Sequence, residues 1–379
     1  PDNEVNMYRK YSNNDINSKI YSIEQRKISL IKNKFYRRRE YWRRLFKETL
    51  TKIYISHDRW NSDHIAASYA AKDIGGISAI LQTSFYEIPT LHSSVYSDIL
   101  FSFSNKIKNL EKKMQSELKY IVCTGFPYDH YFKDKIKGGK LIREKLVSNG
   151  AKKIICIIDG GAKLDERWTP GVSNFQDDYK FWLEKLLQQE WMGLVIKAKG
   201  PGTLHNRLGP VSELLSKAID SGRCYFSENH NYGDKNLNFR VAEAALASDI
   251  AVHFCLYAGT AGLEAKLAGI PTLIFDRFGL TFSRLYKLGK DKIVFNNWDK
   301  MWNLIIESLD QQKNKRIDDW SIINELDPFR DGMAAYRINN FLSHLLEGFK
   351  KGLKNDEILI NTAEKYASEW GEEKIISFN

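Results

Sequence analysis

Short apolar runs alternate along this chain with longer stretches whose apolar residues recur every three or four positions, a pattern that predicts strands alternating with helices. Lys52-Ile-Tyr-Ile-Ser predicts a strand that ends in the polar cluster His57-Asp-Arg-Trp-Asn-Ser-Asp-His64. Residues 65–73 predict a helix stopped by Gly75-Gly76, and Ser78-Ala-Ile-Leu-Gln82 the next strand. Asp98-Ile-Leu-Phe-Ser-Phe and Lys119-Tyr-Ile-Val-Cys-Thr predict two more strands with a helix over residues 105–118 between them, the second closing at Gly125-Phe-Pro127. Upstream, residues 22–50 contain no Gly or Pro and place Ile28, Ile31, Phe35, Trp42, Leu45 and Phe46 at helical spacing, while residues 1–20 are polar and loop-like.

After a helix over residues 134–148 the alternation restarts. Lys153-Ile-Ile-Cys-Ile-Ile-Asp159 predicts a buried strand ending at Gly160-Gly161; Met192–Lys197, Cys224-Tyr-Phe, Ile250-Ala-Val-His-Phe and Pro271-Thr-Leu-Ile-Phe275 predict four more. Helices over residues 175–190, 211–218, 239–247 and 262–267 separate them, and from Asp327 the pattern is helical to the end. Such alternation argues parallel βαβ units. The fold class is therefore α/β: two facing Rossmann-like domains followed by C-terminal helices. The divisions are a helical segment at 1–50, an N-terminal domain at 51–130, a second domain at 150–325, and helices at 326–379 packing back across the domains. In such folds ligands sit at the carboxyl ends of the strands.

Composition agrees with this. At about 150 residues per domain, 379 residues suit two domains. Apolar residues at 43% and charged residues at 27% exclude a disordered tail, a collagen-like repeat and a disulfide miniprotein. The four cysteines show no C-x-x-C spacing and three lie in apolar runs, which points to buried thiols and a reducing compartment. No run approaches the roughly 18 apolar residues of a membrane span, and no signal peptide opens the chain. A cytoplasmic protein is the default expectation. The chain opens at Pro1 without Met, as one module of something longer would.

The net charge is +10, and the segment Arg26–Lys47 carries most of it, with ten basic residues against one acid, Glu40. Aromatics interleave them. Three readings stand: a structural helix with a solvated basic face, a helix lying on the anionic inner face of a membrane, or a nucleic-acid contact without a recognised motif.

The densest chemistry lies in residues 247–277. A strand runs into the small-residue turn Ala258-Gly-Thr-Ala-Gly262, which opens a helix carrying Glu264. Small residues let backbone N–H groups approach an anion, and the helix start favours negative charge. Glu264 could accept hydrogen bonds from ribose hydroxyls. The alternative is a tight turn with a capping Thr260 and a solvated Glu264.

Ser248-Asp249, the helix start Gly259-Thr-Ala-Gly-Leu-Glu-Ala265 and Gly269-Ile-Pro271 resemble the nucleotide-sugar site of GT-B glycosyltransferases, with related arrangements in non-hydrolysing sugar-nucleotide 2-epimerases. Leu326-Asp-Pro-Phe-Arg-Asp-Gly332 and Tyr366-Ala-Ser-Glu-Trp-Gly371 resemble the C-terminus of bacterial surface-carbohydrate (capsule or lipopolysaccharide) biosynthesis proteins, and Thr124-Gly-Phe-Pro-Tyr-Asp129 the strand end closing their N-terminal domain. The resemblance covers roughly residues 50–379. It implies a GT-B-like glycosyltransferase of polysaccharide biosynthesis moving sugar from a nucleotide-sugar donor to a glycan or lipid-linked acceptor. Catalysis would be metal-independent, with no cofactor and no metal ligands. A 2-epimerase, or a non-catalytic module docking to membrane or nucleic acid, is the alternative. Many relatives carry Gln-His-Gly where this chain reads Gln82-Thr-Ser-Phe, and a Lys-Pro-His or Lys-x-His-Pro motif where it reads Lys197-Ala-Lys-Gly-Pro-Gly202.

On that reading the donor site comprises Gly259, Thr260, Ala261, Gly262 and Glu264, with Lys197, Lys199 and Arg207 neutralising a diphosphate. Arg277 would be a further phosphate ligand, or would pair with Asp276 or Asp249. Inverting transfer needs a base for the acceptor hydroxyl. His57 and Asp58 end a strand of the first block, and Asp159 ends one of the second, where it could equally be a turn-forming Asp.

Overall fold

The structure, a computed structural model, describes residues 22–162, 164–166, 171–227, 239–256, 259–309, 317 and 320–378. The opening residues 1–20 and Ala258 of the turn before Gly259 lie outside them. Contacts divide the chain into two compact units: unit 1 ends at Gln82 and resumes over Pro89–Cys123 and from Ile338, and unit 2 is Thr83–Ile88 with Thr124–Arg337. Among the described residues no helix is long and apolar enough to cross a membrane.

Unit 1 holds β1 (Ile53–Ser56), β2 (Ile77–Leu81), β3 (Ile99–Ser102) and β4 (Tyr120–Cys123), parallel and adjacent in chain order. β2 to β4 are short apolar runs because both faces of the sheet are covered there, while β1 at the edge leaves Ile55 43% exposed. The long helix Ile23–Glu48 and the helix Asp63–Asp73 pack together through Phe46, Ala67, Ala70 and Ala71. Ile77, Ile99, Phe101 and Val122 pack against Phe341, Leu345, Ile358 and Tyr366 of the C-terminal helices Ala334–Lys350 and Asn355–Trp370. Tyr366 O–H donates to the Cys123 carbonyl (2.6 Å). The expectation of helix to the end of the chain is corrected here. A last strand, β11 (Ile375–Ser377), pairs antiparallel with β4, setting Ile376 opposite Ile121.

Unit 2 is a six-stranded parallel sheet of β5 (Lys153–Ile158), β6 (Met192–Lys197), β7 (Cys224–Phe226), β8 (Ile250–His253), β9 (Thr272–Phe275) and β10 (Val294–Phe295). Its order is β10-β9-β8-β5-β6-β7, so the winding reverses between β5 and β8 and opens a crevice at their carboxyl ends. The helix Phe132–Ser148, which follows the expected joint of the two blocks, packs within this unit: a Cβ at Gly139 would meet Leu246 at 2.9 Å. All four cysteines are buried free thiols.

Two loops of unit 2, both singled out by their sequences, hold each other. The Asp327 carboxylate, fully buried, accepts the N–H groups of Phe126 (2.9 Å), Phe329 (2.9 Å) and Arg330 (3.2 Å). A Cβ at Gly125 (φ +87°) would sit 3.1 Å from its Oδ1, so glycine lets the loop close on it. Asp129 reciprocates, accepting from Gly332 N (3.0 Å) and Ala334 N (3.4 Å). Arg337, also fully buried, lies over the Phe329 ring, donates to the Thr124 carbonyl (3.1 Å) and pairs with Asp331. Burial and the neighbouring Asp327 push the Asp129 carboxyl up to about 6.

Replacing Asp327 by Ala strands three backbone donors, each costing about 1–3 kcal/mol. We expect Asp327→Ala to lower the melting temperature by about 10 °C, and Asp327→Asn by less. A drop below about 3 °C in a thermal melt of Asp327→Ala would show that the loops hold without it.

Candidate functional site

At the reversal point of unit 2, β5 ends in Ile158 and runs into Asp159, while β6 ends in Lys197 and β8 in His253, both paired with β5 in register (Ile158 opposite Lys197 and His253). The helix Thr260–Leu267 starts seven residues beyond the end of β8 and packs close to it: a Cβ at Gly262 would stand 3.2 Å from His253 Nδ1. His253 is buried with Nδ1 lacking a partner among the described residues, and burial drives its pKa down to about 3, so the ring is neutral.

Glu264 is 8% exposed, so the solvated alternative is set aside. Its Oε1 accepts Tyr131 O–H (2.6 Å) and Ala242 N–H (3.0 Å), while Oε2 accepts nothing from a described residue. Burial raises its pKa, against the lowering influence of Tyr131, the Ala242 N–H, Lys197 and Arg240. Arg240 lies over the Tyr131 ring, 5.7 Å from its centroid. Tyr131 follows the loop that Asp327 and Asp129 hold, and sequence reasoning missed it because its partner is 133 positions away.

Lys197 is largely buried, and desolvation lowers its pKa although Asp159 and Glu264 counter the shift. Its Nζ donates to the Ala198 carbonyl (3.0 Å) and to no other described acceptor. Lys199 is exposed. Arg207, the third member of the expected basic loop, is buried instead: it stacks over Phe175 (4.8 Å) and donates to the Gly200 carbonyl (2.6 Å), fixing the loop.

Asp159 takes the turn-forming role. Its Oδ1 accepts Gly161 N (3.0 Å) and Lys199 N (2.7 Å), and its Oδ2 accepts Tyr179 O–H (2.7 Å), so three donors engage it within the protein. Arg277 pairs with Asp178, which also accepts Trp298 Nε1–H (2.7 Å), rather than with Asp276 or Asp249. Asp249 instead accepts Ile154 N (2.8 Å) and Arg143 (3.0 Å), and Asp276 accepts the N–H groups of Phe278 (3.2 Å) and Leu280 (2.6 Å). Thr260 does not cap its helix; its hydroxyl oxygen accepts Phe85 N–H (2.7 Å). Gly259 and Ala261 flank it at the helix start.

His57 and Asp58 follow β1 in unit 1 and form no part of this cluster. His57 is exposed, and Asp58 Oδ1 accepts Trp60 N–H (3.0 Å). The next residue anchors their loop: Arg59 forms a buried pair with Glu111 (2.9 Å) and donates to the Ser93 carbonyl.

No protein-family model matches the chain, and no curated protein sequence is similar to it. Solved structures are similar. An S. aureus MnaA structure with UDP superposes with a TM-score of 0.53 at 14% identity, over 83% of this chain and 81% of that one. A Listeria monocytogenes protein assigned as a UDP-N-acetylglucosamine 2-epimerase gives 0.54 at 17%, over 87% and 82%. A further UDP-N-acetylglucosamine 2-epimerase gives 0.51 at 15%, over 88% and 80%. The likeness shows the fold: this chain has the GT-B-type architecture that its sequence resembles.

A desolvated ammonium with one hydrogen bond burdens the free protein. Lys197→Met should therefore keep the melting temperature at pH 7 within about 2 °C of the parent, or raise it. Because the folded-state pKa lies below the ordinary 10.5, the parent gains stability relative to this variant as the pH climbs toward 10.5. A fall of more than about 5 °C at pH 7 would mean that Asp159 and Glu264 overcompensate the burial.

Proposed function

We propose that unit 2 binds the nucleoside diphosphate of a nucleotide sugar at the carboxyl ends of β5, β6 and β8, and that the protein transfers the sugar to a hydroxyl of a glycan or lipid-linked acceptor in polysaccharide assembly. Glu264 carries the reading. Tyr131 and the Ala242 N–H hold its Oε1, and its Oε2, which accepts nothing from a described residue, suits a donor from a ligand. A buried carboxylate so oriented suits the neighbouring hydroxyls of a ribose. Lys197, with unspent N–H groups, and the start of the helix Thr260–Leu267 offer positive charge to the diphosphate, in the ground state and as it departs. No metal is required for that role. The likeness to MnaA with UDP supports a uridine nucleotide.

The acceptor hydroxyl must lose a proton as the glycosidic bond forms. Asp159 is engaged by Gly161 N, Lys199 N and the Tyr179 hydroxyl, and Asp276 by N–H groups of its own loop. Asp58, whose Oδ2 accepts nothing from a described residue, and exposed His57 are the bases we propose. A second reading, 2-epimerisation of a nucleotide sugar, is favoured by the two similar epimerase structures. It would instead need a proton taken from C2 of the sugar.

Thermal melts with UDP, GDP, CDP, dTDP and ADP test the donor site. A ligand at 100 times its Kd adds about 2.7 kcal/mol, a shift of several degrees. We expect UDP to give it, and Glu264→Gln and Lys197→Met each to weaken UDP binding about 10- to 100-fold. No shift with any nucleotide, or unchanged binding in both variants, would remove nucleotide binding from this site. With a binding UDP-sugar, UDP release only in the presence of an acceptor identifies transfer. Solvent deuterium appearing at C2 without an acceptor identifies the epimerase.

A further inference from the structure

The helix Ile23–Glu48 is only partly used by unit 1. Its second half is docked: Trp42 and Phe46 pack on Ala67, Ala70, Ala71 and Tyr54, and Phe35 meets the edge of the Tyr69 ring at 5.6 Å. Two arginines of the Arg37-Arg-Arg39 run are spent on the same docking, Arg38 on Asp63 (2.6 Å) and Arg39 on Asp73 (2.5 Å). Arg43 and Arg44 share Glu40.

The first half is different. A capping box starts the helix firmly, with Ser22 Oγ accepting Gln25 N and Gln25 Oε1 accepting Ser22 N (3.0 Å). Yet every residue from Ser22 to Ile28 is exposed, including Ile23 (68%), and Leu30 and Ile31 follow at 62% and 67%. Four aliphatic side chains in water on a capped helix, Ile28 being the fourth, are a cost that something must offset. Spacings of four and three lead from Ile23 through Lys27, Leu30, Lys34, Arg37 and Tyr41 to Arg44, and all seven are exposed. They form one outward stripe in which three apolar or aromatic side chains are interspersed with four cations. No carboxylate among the described residues pairs with Lys27, Lys34 or Arg37, nor with the adjacent Arg26 and Lys32.

We propose that this stripe docks the protein on an anionic lipid bilayer, the helix lying in the headgroup plane with Ile23 and Leu30 turned into the acyl boundary and Lys27, Lys34 and Arg37 on lipid phosphates. Charge complementarity selects an anionic partner. The aliphatic side chains select a bilayer over a nucleic acid, whose phosphates reward the cations but leave isoleucine and leucine in water. The docked half keeps the stripe outward, because Arg38 and Arg39 face Asp63 and Asp73. This inference is independent of the proposed reaction.

Sedimentation with phosphatidylcholine vesicles, and with vesicles in which about a third of the lipid is phosphatidylglycerol, tests it. Binding is expected to the anionic vesicles alone and to weaken steeply with added salt, a reading that needs no variant. At about fivefold per cation, losing three cations alone weakens it about a hundredfold, so reversing them in Lys27→Glu/Lys34→Glu/Arg37→Glu should weaken it by more than that. Leu30→Ser should weaken it about tenfold with no change of charge. No binding of the parent to anionic vesicles, equal binding of the triple variant, or tighter binding to duplex DNA than to vesicles would overturn the proposal.

Discussion

The buried carboxylate of Asp327 is the constraint on which the proposed donor site of unit 2 rests. Two irregular loops meet there, and irregular backbone has no ladder in which to spend its N–H groups. Asp327 takes three of them and Asp129 takes two in return, so each loop caps the other. The consequence reaches Tyr131, two residues past Asp129, whose hydroxyl then meets Glu264. The carboxylate in the proposed ribose position is thus set by a chain of contacts that begins at Asp327.

A second theme is how unit 2 spends its acids. Asp159 and Asp276 just past strand ends, and Asp249 at a strand start, each bind backbone N–H groups: Asp276 those of its own loop, Asp159 those of Gly161 and Lys199, and Asp249 that of Ile154 in β5. Asp178 is taken by Arg277 and Trp298. Cations are left over where the sheet reverses: Lys197 half-spent, Lys199 in solvent and Arg240 over the Tyr131 ring. The aspartates around the proposed donor site hold its shape, and its cations are the groups turned to other uses.

β1 to β9 were legible in the sequence to within a residue or two, because parallel strands covered on both faces must be continuous apolar runs such as Ile154–Ile158, whereas the two-residue β10 (Val294–Phe295) was not expected. β11 was not legible: Ile375–Ser377 is too short to show alternation, and its pairing with β4 is a long-range fact. The site was half legible. Gly259–Glu264 is a local signature of a turn opening a helix, so it could be read. Arg277 with Asp178, and Tyr131 with Glu264, are pairs made by packing across roughly a hundred positions, for which no spacing rule exists. Charge counting flagged Arg37-Arg-Arg39 as a unit, whereas the fold uses two of the three internally.

Unit 1 is assembled from both ends of the described chain. β1 to β4 come early, but the helices that cover one face of their sheet and the strand that closes its edge come last. During synthesis at about 5–20 residues per second, the roughly 250 residues separating β4 from β11 take some 10–50 seconds to emerge. Unit 2 can complete its sheet in that interval, whereas Ile99, Phe101 and Val122 await their partners beside an open edge at β4. Unit 1 therefore cannot complete its sheet before β11 emerges, and until then the open edge at β4 is the segment exposed to wrong pairing.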